Sequence, residues 1–377
     1  MDFILNLLVR SDYSFRNFIL FTVQKILFSK SSDNHRINRI IVFRTGSIGD
    51  SICALPALSV IRKNFPSAQI DILTNAGSEN FVSLDKLIDR SQFNAIINYL
   101  GMSKKLLAAE LKENKYDLFI ELPQYDASLI KQIKAMLFAK FIGVKHAFGW
   151  RVSQTFVFKK FQERRIKFTN ERDRLLAILQ DNGLSISDSS YIVANNSAVE
   201  QVVADIFKKN NLTDKTHNIG VVIGSKVERN KWPIDHFKQL VKHYSDRNFN
   251  LLIFGGKDDA ANADALMFGN NVFNFCGRFS PLETAEAMKF CSVVITNDTG
   301  PMHLAYLYHS PVVAMFSARD FPYKWYPPED GINKVFRSGA IACSICFKRE
   351  CFDNICMKKI TPGEVIEAAD VILNKTN

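Results

Sequence analysis

Short apolar runs along the chain alternate with polar loops and with segments whose apolar residues recur at helical spacing. Two regions, residues 39–73 and 218–254, repeat one order of buried strand, loop, helix and second strand. This order is typical of the opening of a doubly wound parallel sheet, in which helices cover both faces. The pattern therefore predicts an α/β protein with two Rossmann-like domains.

The individual elements follow from the same pattern. The predicted strands are Arg39–Phe43, Gln69–Leu73, Asn218–Ile223, Asn250–Phe254 and Val272–Phe275, with further strands or strand edges at Tyr116–Ile120 and Ala139–Val144. The predicted helices are Ser51–Asn64, Pro233–Tyr244, one opened by a capping box at Ser280, and a last one at 361–374 that opens in the same way at Thr361.

The stretch from Ser292 to Phe316 is a third strand–loop–helix–strand unit. A β-branched run is followed by the polar turn Asn297-Asp-Thr-Gly300, then by proline at the start of a helix. The amides at such a helix start suit a phosphate. Asp298 and His303 can accept from and donate to sugar hydroxyls. The alternative is that the turn merely caps a helix and His303 is a structural histidine.

A chain of 377 residues is too long for one ordinary core, which indicates more than one domain. The stretch Asp181–Ser197 is rich in Ser, Asn and Asp and contains no long apolar run, as expected of a boundary. We therefore divide the chain into an amphipathic extension at 1–36, a first domain at 37–190 and a second domain at 191–377.

The extension contains two uncharged apolar runs that are both shorter than the roughly 20 residues of a spanning helix. Asp2 and the lack of a small-residue cleavage site argue against a secretory signal. One apolar helix face is predicted from Phe15, Phe18, Ile19, Ile26 and Leu27. It suits either an interfacial membrane helix or a helix packed on its own domain or on a second subunit.

The composition is that of an ordinary globular protein, with 47% hydrophobic residues, but the net charge is +10. Between Lys131 and Arg174 there are twelve Lys or Arg and three acidic residues. Such a local surplus favours contact with an anionic acceptor or a membrane surface over a merely solvated face. Nucleic acid is not predicted, because no known nucleic-acid motif accompanies the interleaved aromatic residues.

Two motifs carry a family resemblance. The loop Arg44-Thr-Gly-Ser-Ile-Gly-Asp50 and the turn at 297–300 with its helix resemble the opening motif and the donor motif of the heptosyltransferases, glycosyltransferase family nine. The resemblance implies a GT-B fold, two facing Rossmann-like domains with the active site between them. It also implies inverting transfer of a heptose from ADP-heptose to a lipopolysaccharide core acceptor at the cytoplasmic face of the inner membrane, without a metal or other cofactor.

The resemblance also implies residue roles. Asp50 would be the catalytic base, although from the residues alone it could equally be a helix cap. Gly46 and Gly49 would let the backbone approach the acceptor, and Lys145 and Arg151 belong to the family's basic acceptor loop. The donor would contact the following residues: Asp258, Asp298, Thr299, Gly300 and His303.

The chain departs from the family's Lys-x-Trp-Pro element, whose lysine contacts the donor phosphate. Asn230 occupies the lysine position, and either Arg229 or Lys231 would have to supply the charge. Four thiols also lie close together, in a Cys-rich loop at 343–356: Cys343, Cys346, Cys351 and Cys356. They could bind a structural zinc ion, although we favour reduced thiols or a local disulfide.

Two other classes remain open. A nucleotide-sugar epimerase would share the two-domain fold and the donor pocket. A non-catalytic basic protein would bind membranes or anionic polymers without a nucleotide site, but it would have no use for both motifs.

Overall fold

A computed structural model describes residues 2–29, 37–75, 84–165, 168–191, 193–194, 196–213, 217–339 and 341–376. The chain forms two compact units, residues 1–194 and 195–377. Residues 30–36, at the end of the predicted extension, lie outside the described residues.

The first unit contains five strands and six helices within the described ranges. The strands are β1 (Arg39–Phe43), β2 (Gln69–Thr74), β3 (Ala95–Asn98), β4 (Leu118–Glu121) and β5 (His146–Phe148). The helices are α1 (Asp2–Leu27), α2 (Ile48–Asn64), α3 (Lys104–Glu113), α4 (Leu129–Phe141), α5 (Lys159–Arg165) and α6 (Glu171–Asp181).

The second unit repeats this plan with six described strands and seven described helices. The strands are β6 (Asn218–Val222), β7 (Asn250–Phe254), β8 (Val272–Asn274), β9 (Val293–Asn297), β10 (Val312–Phe316) and β11 (Lys334–Arg337). The helices are α7 (Ser197–Lys209), α8 (Ile234–Ser245), α9 (Ala260–Asp264), α10 (Pro281–Met288), α11 (Gly300–Leu307), α12 (Ile355–Lys358) and α13 (Pro362–Thr376).

Both sheets are parallel, and each reverses its strand order at one point. The first sheet has the order β3-β2-β1-β4-β5, with Ile40 of β1 beside Leu118 of β4. The second has the order β11-β10-β9-β6-β7-β8, with Val221 of β6 beside Ile295 of β9. In open parallel sheets, ligands bind beyond the carboxyl ends of the strands at such a reversal. The two α/β domains predicted from the sequence are confirmed.

The cores lie between the sheets and their helices. Apolar residues of β6, β7 and β9 form one cluster with α8 and α13, including Ile253, Phe237 and Val365. In the first unit α2 is buried over most of its length, as expected of a helix that is apolar on all sides. The opposite face of that sheet is covered by α1, α3 and α4, which share a core around Phe119.

Two predicted elements are wrong. Residues 139–144 form no strand, because they continue α4 to Phe141 and then turn before β5. Met136, Ala139 and Ile142 are buried at helical spacing, a periodicity that a short apolar window does not reveal. Helix α2 begins at Ile48 rather than Ser51, so Asp50 lies inside its first turn.

Residues 2–27 of the N-terminal extension form one continuous helix, and its inner side packs on α4 through Leu20. The predicted apolar face is divided. Phe15, Phe18 and Ile26 are exposed, whereas Ile19 and Leu27 are half-buried. None of the helices in the described ranges is both long enough and apolar enough to span a bilayer.

Candidate active site

The reversal point of the first sheet holds Asp50. Its Oδ2 accepts hydrogen bonds from the N–H and the Oγ–H of Ser47, both at 2.8 Å, which is half of a capping box. Gly46 has a φ of +136°, and a Cβ there would lie 2.4 Å from the Asp50 Cγ. The glycine therefore leaves the space that the carboxyl group occupies.

Arg44 holds the same carboxylate from inside the protein. Its side chain is 1% exposed, and its Nη2 donates to the Asp50 carbonyl at 2.9 Å and to the Asp50 Oδ1 at 3.3 Å. Nη1 donates to the carbonyls of Leu122 and Pro123, which follow β4. The guanidinium thus ties the loop after β1 to the loop after β4, across the reversal point.

A buried carboxylate completes this cluster. Glu171 is fully buried and accepts from Arg44 at 3.1 Å and from Arg174 at 2.6 Å. Glu121, the last residue of β4, is also buried, and burial raises its pKa to about 8 against the opposing effect of Arg44. The cluster holds Asp50 in one orientation, because Arg44 and Ser47 both contact its carboxylate.

The reversal point of the second sheet holds Asp298, directly after β9. Asn230 donates to its Oδ2 at 2.9 Å, and Ser317 donates to the Asn230 Oδ1 at 2.6 Å. Desolvation raises the pKa of the Asp298 carboxyl to about 7, and the nearby Asp320 adds to this effect. The cations Arg319 and Lys324 oppose it.

Helix α11 begins beside Asp298. Thr299 is the N-cap residue and Pro301 lies in the first turn. Within the described residues, the Thr299 side chain makes no capping hydrogen bond. A ligand oxygen can therefore take the place of a cap at this helix start.

The family model for glycosyltransferase family 9 (heptosyltransferase) matches residues 105–355, which is most of the chain. The chain belongs to this family. It is therefore a glycosyltransferase, as the two motifs predict.

Individual relatives agree with this assignment. The chain is 24% identical to lipooligosaccharide heptosyltransferase 2 of Campylobacter jejuni over 88% of its length and 97% of the relative's. It is similar to a family 9 glycosyltransferase structure from Veillonella parvula, with a TM-score of 0.69 and 21% identity. The match covers 92% of this chain and 99% of that chain. It is also similar to the structure of the Escherichia coli ADP-heptose LPS heptosyltransferase II. The TM-score is 0.65 at 20% identity, and the match covers 90% of this chain and 99% of that chain. The GT-B fold class predicted for this family member is confirmed.

The two candidate phosphate-binding cations of this heptosyltransferase homologue differ in their surroundings. Arg229 is 3% exposed, and its Nη1 lies 2.9 Å from the Sγ of Cys346, so it points to the Cys-rich loop. The Lys231 ammonium is more accessible, with 27% of its side chain exposed. It lies 3.0 Å from Glu228 and 3.5 Å from Asp259.

Other predicted donor residues lie in different settings. Asp258 is exposed, whereas its neighbour Asp259 is buried, accepts from the Gly256 N–H at 2.9 Å and lies close to Lys231. His303 is 5% exposed, and its Nδ1 lies 2.9 Å from the Tyr306 hydroxyl. This burial supports a structural role for His303, the alternative left open above.

The predicted acceptor residues are not all brought together. Gly46 and Gly49 adjoin Asp50, and Gly49 is buried in the first turn of α2. Arg151 follows β5 at the same edge of the sheet but forms an exposed ion pair with Asp181. Lys145 precedes β5, so it lies at the opposite edge of the sheet, because the strands are parallel. The fold does not support an acceptor role for Lys145.

The Cys-rich loop forms no ligand cluster in the part of the chain that the structure describes. There, no three His, Cys, Asp or Glu side chains converge as a metal site requires. Cys343 is exposed, Cys356 is buried, and all seven cysteines of these ranges are free thiols.

Sequence reasoning missed several residues of these clusters: Arg44, Glu121, Glu171, Arg174 and Asp259. Arg44 stands inside the quoted opening motif, and its place at the end of β1 was a usable signal. Glu171 is 127 positions from Arg44, and nothing local in the sequence indicates that they meet.

Proposed function

We propose that this protein transfers a heptose from ADP-heptose to a lipopolysaccharide core acceptor, with inversion at the anomeric carbon. The Escherichia coli relative is named for ADP-heptose and LPS, and this chain has its fold. The observation that carries the proposal is the Asp50 carboxylate, oriented by Arg44 and Ser47 at the reversal point of a parallel sheet. Ligand sites of this fold class lie at that point.

In the proposed reaction the acceptor hydroxyl oxygen forms a bond to the anomeric carbon of the donor sugar. The bond from that carbon to the diphosphate oxygen breaks, and the hydroxyl proton passes to an Asp50 oxygen. An ordinary carboxylate is a weak base for a sugar hydroxyl, so proton transfer follows the build-up of positive charge on the sugar ring.

The leaving ADP takes up negative charge, which the amides at Thr299 and Gly300 would stabilise at the start of α11. We assign the neighbouring cation to Lys231 rather than Arg229, because Arg229 is buried against Cys346. Asp298 would orient the donor sugar through its carboxyl group. No divalent ion is assigned a role, so we expect transfer to continue in the presence of a chelator.

The acceptor is an anionic glycolipid, so we propose that the protein works in the cytoplasm, in peripheral contact with the inner-membrane surface. The basic stretch from Lys131 onward would favour that contact.

Asp50→Asn tests the base assignment, because the amide keeps the side-chain shape and cannot accept the proton. We expect transfer to fall by about a thousandfold or more, within the range of losses for removal of a catalytic group. ADP binding, measured by calorimetry, should persist. Mass analysis of ADP-heptose with a core-lipid acceptor gives the readout, and unimpaired transfer by the variant would refute the assignment.

The same assay without acceptor separates the epimerase alternative. An epimerase would convert the sugar nucleotide alone, whereas a transferase would leave it unchanged apart from slow hydrolysis. A panel of nucleotide-sugars in the complete assay would identify the donor.

A further inference from the structure

Helix α1 has apolar residues on two opposite sides. Its inner side carries Val9 and Leu20, which are buried, and Leu20 shares a core with Met136 and Ala139 of α4. Its outer side carries eight large apolar side chains that are 45% to 81% exposed. They are Phe3, Ile4, Leu7, Leu8, Phe15, Phe18, Phe21 and Ile26.

These eight residues share one face. At 100° per residue they fall within an arc of about 140° on the side opposite Val9 and Leu20. Isolated exposed apolar residues are common on soluble proteins, but a continuous row of this length marks an interaction site. The inner contacts explain why α1 is attached to its unit, and they leave the outer row unexplained.

Helix α4 extends the same kind of surface. Ile130, Leu137 and Phe141 are 53% to 66% exposed and recur at helical spacing. The Lys112 ammonium of α3 lies 4.4 Å from the centre of the Phe141 ring, and the Lys25 ammonium lies 4.3 Å from that of Phe21. Cations therefore border the apolar rows on both helices.

The charges of this region have one dominant sign. Residues 129–145 contain four lysines and no acidic residue, and all four lysines are exposed. On α1, Asp12 is paired with Arg16 at 2.9 Å. Apolar rows flanked by lysines match an interface of acyl chains and anionic headgroups. A second copy would instead bring like charges together across a symmetric contact.

We propose that the outer faces of α1 and α4 form a docking surface for an anionic lipid bilayer. Helix α1 lies in the plane of the membrane interface, and its outer row of apolar residues enters the acyl region. The lysines of α4 contact the headgroups. This inference rests on the membrane contact of the proposed function and specifies which surface makes it and which lipid chemistry it takes.

The test uses the full chain and sedimentation with vesicles of phosphatidylcholine, with or without phosphatidylglycerol. The double variant Phe15→Asp, Phe18→Asp should bind anionic vesicles at least about tenfold more weakly, because it places charge in the acyl region. The matched control is Phe352→Asp, at a fully exposed side chain of the second unit, 104% exposed. It makes the Phe→Asp change once, so it is compared with the single variant Phe15→Asp, and it should bind the vesicles as the parent does.

A second variant, Lys131→Gln with Lys134→Gln, should weaken binding to anionic vesicles and reduce its dependence on salt. Binding to pure phosphatidylcholine should stay unchanged. Leu137→Asp repeats the apolar test on α4, in case the α1 variant does not fold.

Vesicle binding is measured without donor or acceptor, and transfer to a de-acylated, soluble acceptor is measured separately. If the parent protein binds vesicles but transfers no sugar to the soluble acceptor, the proposed function is refuted and the docking surface is not. Vesicle binding that is insensitive to the α1 and α4 variants would overturn the docking surface alone. So would a concentration-dependent dimer that the double variant abolishes, since the row would then be covered by a second copy.

Discussion

The reversal points of the two sheets hold a carboxylate in contrasting ways. In the first unit Asp50 contacts a buried guanidinium, and that guanidinium also neutralises Glu171. In the second unit Asp298 accepts from the Asn230 amide, which is itself bonded to Ser317. The first carboxylate thus has a fixed cation of the protein beside it, whereas the second has a neutral donor within hydrogen-bond distance.

The difference follows the charge that each half of the reaction would bring. A base needs an oriented carboxylate, and the contact with Arg44 holds the Asp50 carboxylate in place. In the proposed reaction the second unit would receive a diphosphate, and an ionised Asp298 would repel that diphosphate. Burial raises the pKa of this carboxyl to about 7 in spite of the opposing hydrogen bond from Asn230, so the group can take up a proton near neutral pH. The following substitutions test the comparison.

The largest effect should come from Arg44→Met. It leaves Glu171 beside one arginine instead of two and removes the internal contact of Asp50. Breaking a buried ion pair from one side costs about 3–5 kcal/mol of unfolding free energy, so we expect a loss of this size together with loss of transfer. Urea denaturation measures the loss of unfolding free energy. A variant as stable as the parent would show that the cluster does not hold the first unit together.

Glu121→Gln should stabilise the protein, and it should do so in a pH-dependent way. The folded pKa of about 8 lies above the unfolded value of 4.5, so the folded state holds the proton more tightly. Stability of the parent therefore falls as the pH rises from 4.5 to 8, and the glutamine removes this dependence.

We expect the Glu121→Gln gain to be absent near pH 4 and to grow to about 5 kcal/mol above pH 8, because a pKa raised from 4.5 to about 8 corresponds to a free-energy difference of that size. Denaturation across this pH range provides the measurement. A gain that is constant with pH would contradict the assignment of the raised pKa to Glu121.

Lys231→Met should weaken ADP binding about tenfold, a typical loss of about 1.4 kcal/mol for one phosphate-contacting charge. Arg229→Met is the matched comparison, because its guanidinium faces Cys346. It should leave ADP affinity nearly unchanged while lowering thermal stability. Calorimetric titration of ADP measures the affinity of both variants. If the Arg229 variant binds ADP more weakly than the Lys231 variant, the phosphate contact belongs to Arg229.

The smallest effect is expected for Arg151→Met. Its ion pair with Asp181 is exposed on both sides, with 43% and 65% of the two side chains accessible. Exposed pairs contribute about 0–1 kcal/mol, so denaturation should show little change. A loss similar to that of Arg44→Met would remove the distinction between the buried cluster and a surface pair.

The sequence was sufficient for the fold because strand–loop–helix repeats are local patterns. The strands β1, β7 and β9 begin where their apolar runs begin, and the capping boxes at Ser280 and Thr361 start their helices as predicted. The run at 139–144 misled because a short apolar window fits a strand and a buried helix equally well.

The residues of the candidate site could be predicted only in part, for a different reason. Motifs identified Asp50 and Asp298, but the direction in which a side chain points depends on residues far away in the chain. Whether Arg229 or Lys231 faces the donor side depends on Cys346, more than a hundred positions downstream. The same holds for Glu171, whose contact with Arg44 only the folded chain creates.

The absence of a side chain at Gly46 links two positions of the chain. The carboxyl of Asp50 fills the volume that an alanine methyl at 46 would need, with the nearest atoms 2.4 to 2.6 Å away. A shortened residue at 50 would free that volume, but position 46 would keep a φ of +136°, which residues larger than glycine rarely adopt. A chain altered at both positions would therefore lose its proposed base and still carry a strained backbone, so we expect Gly46 and Asp50 to be retained together.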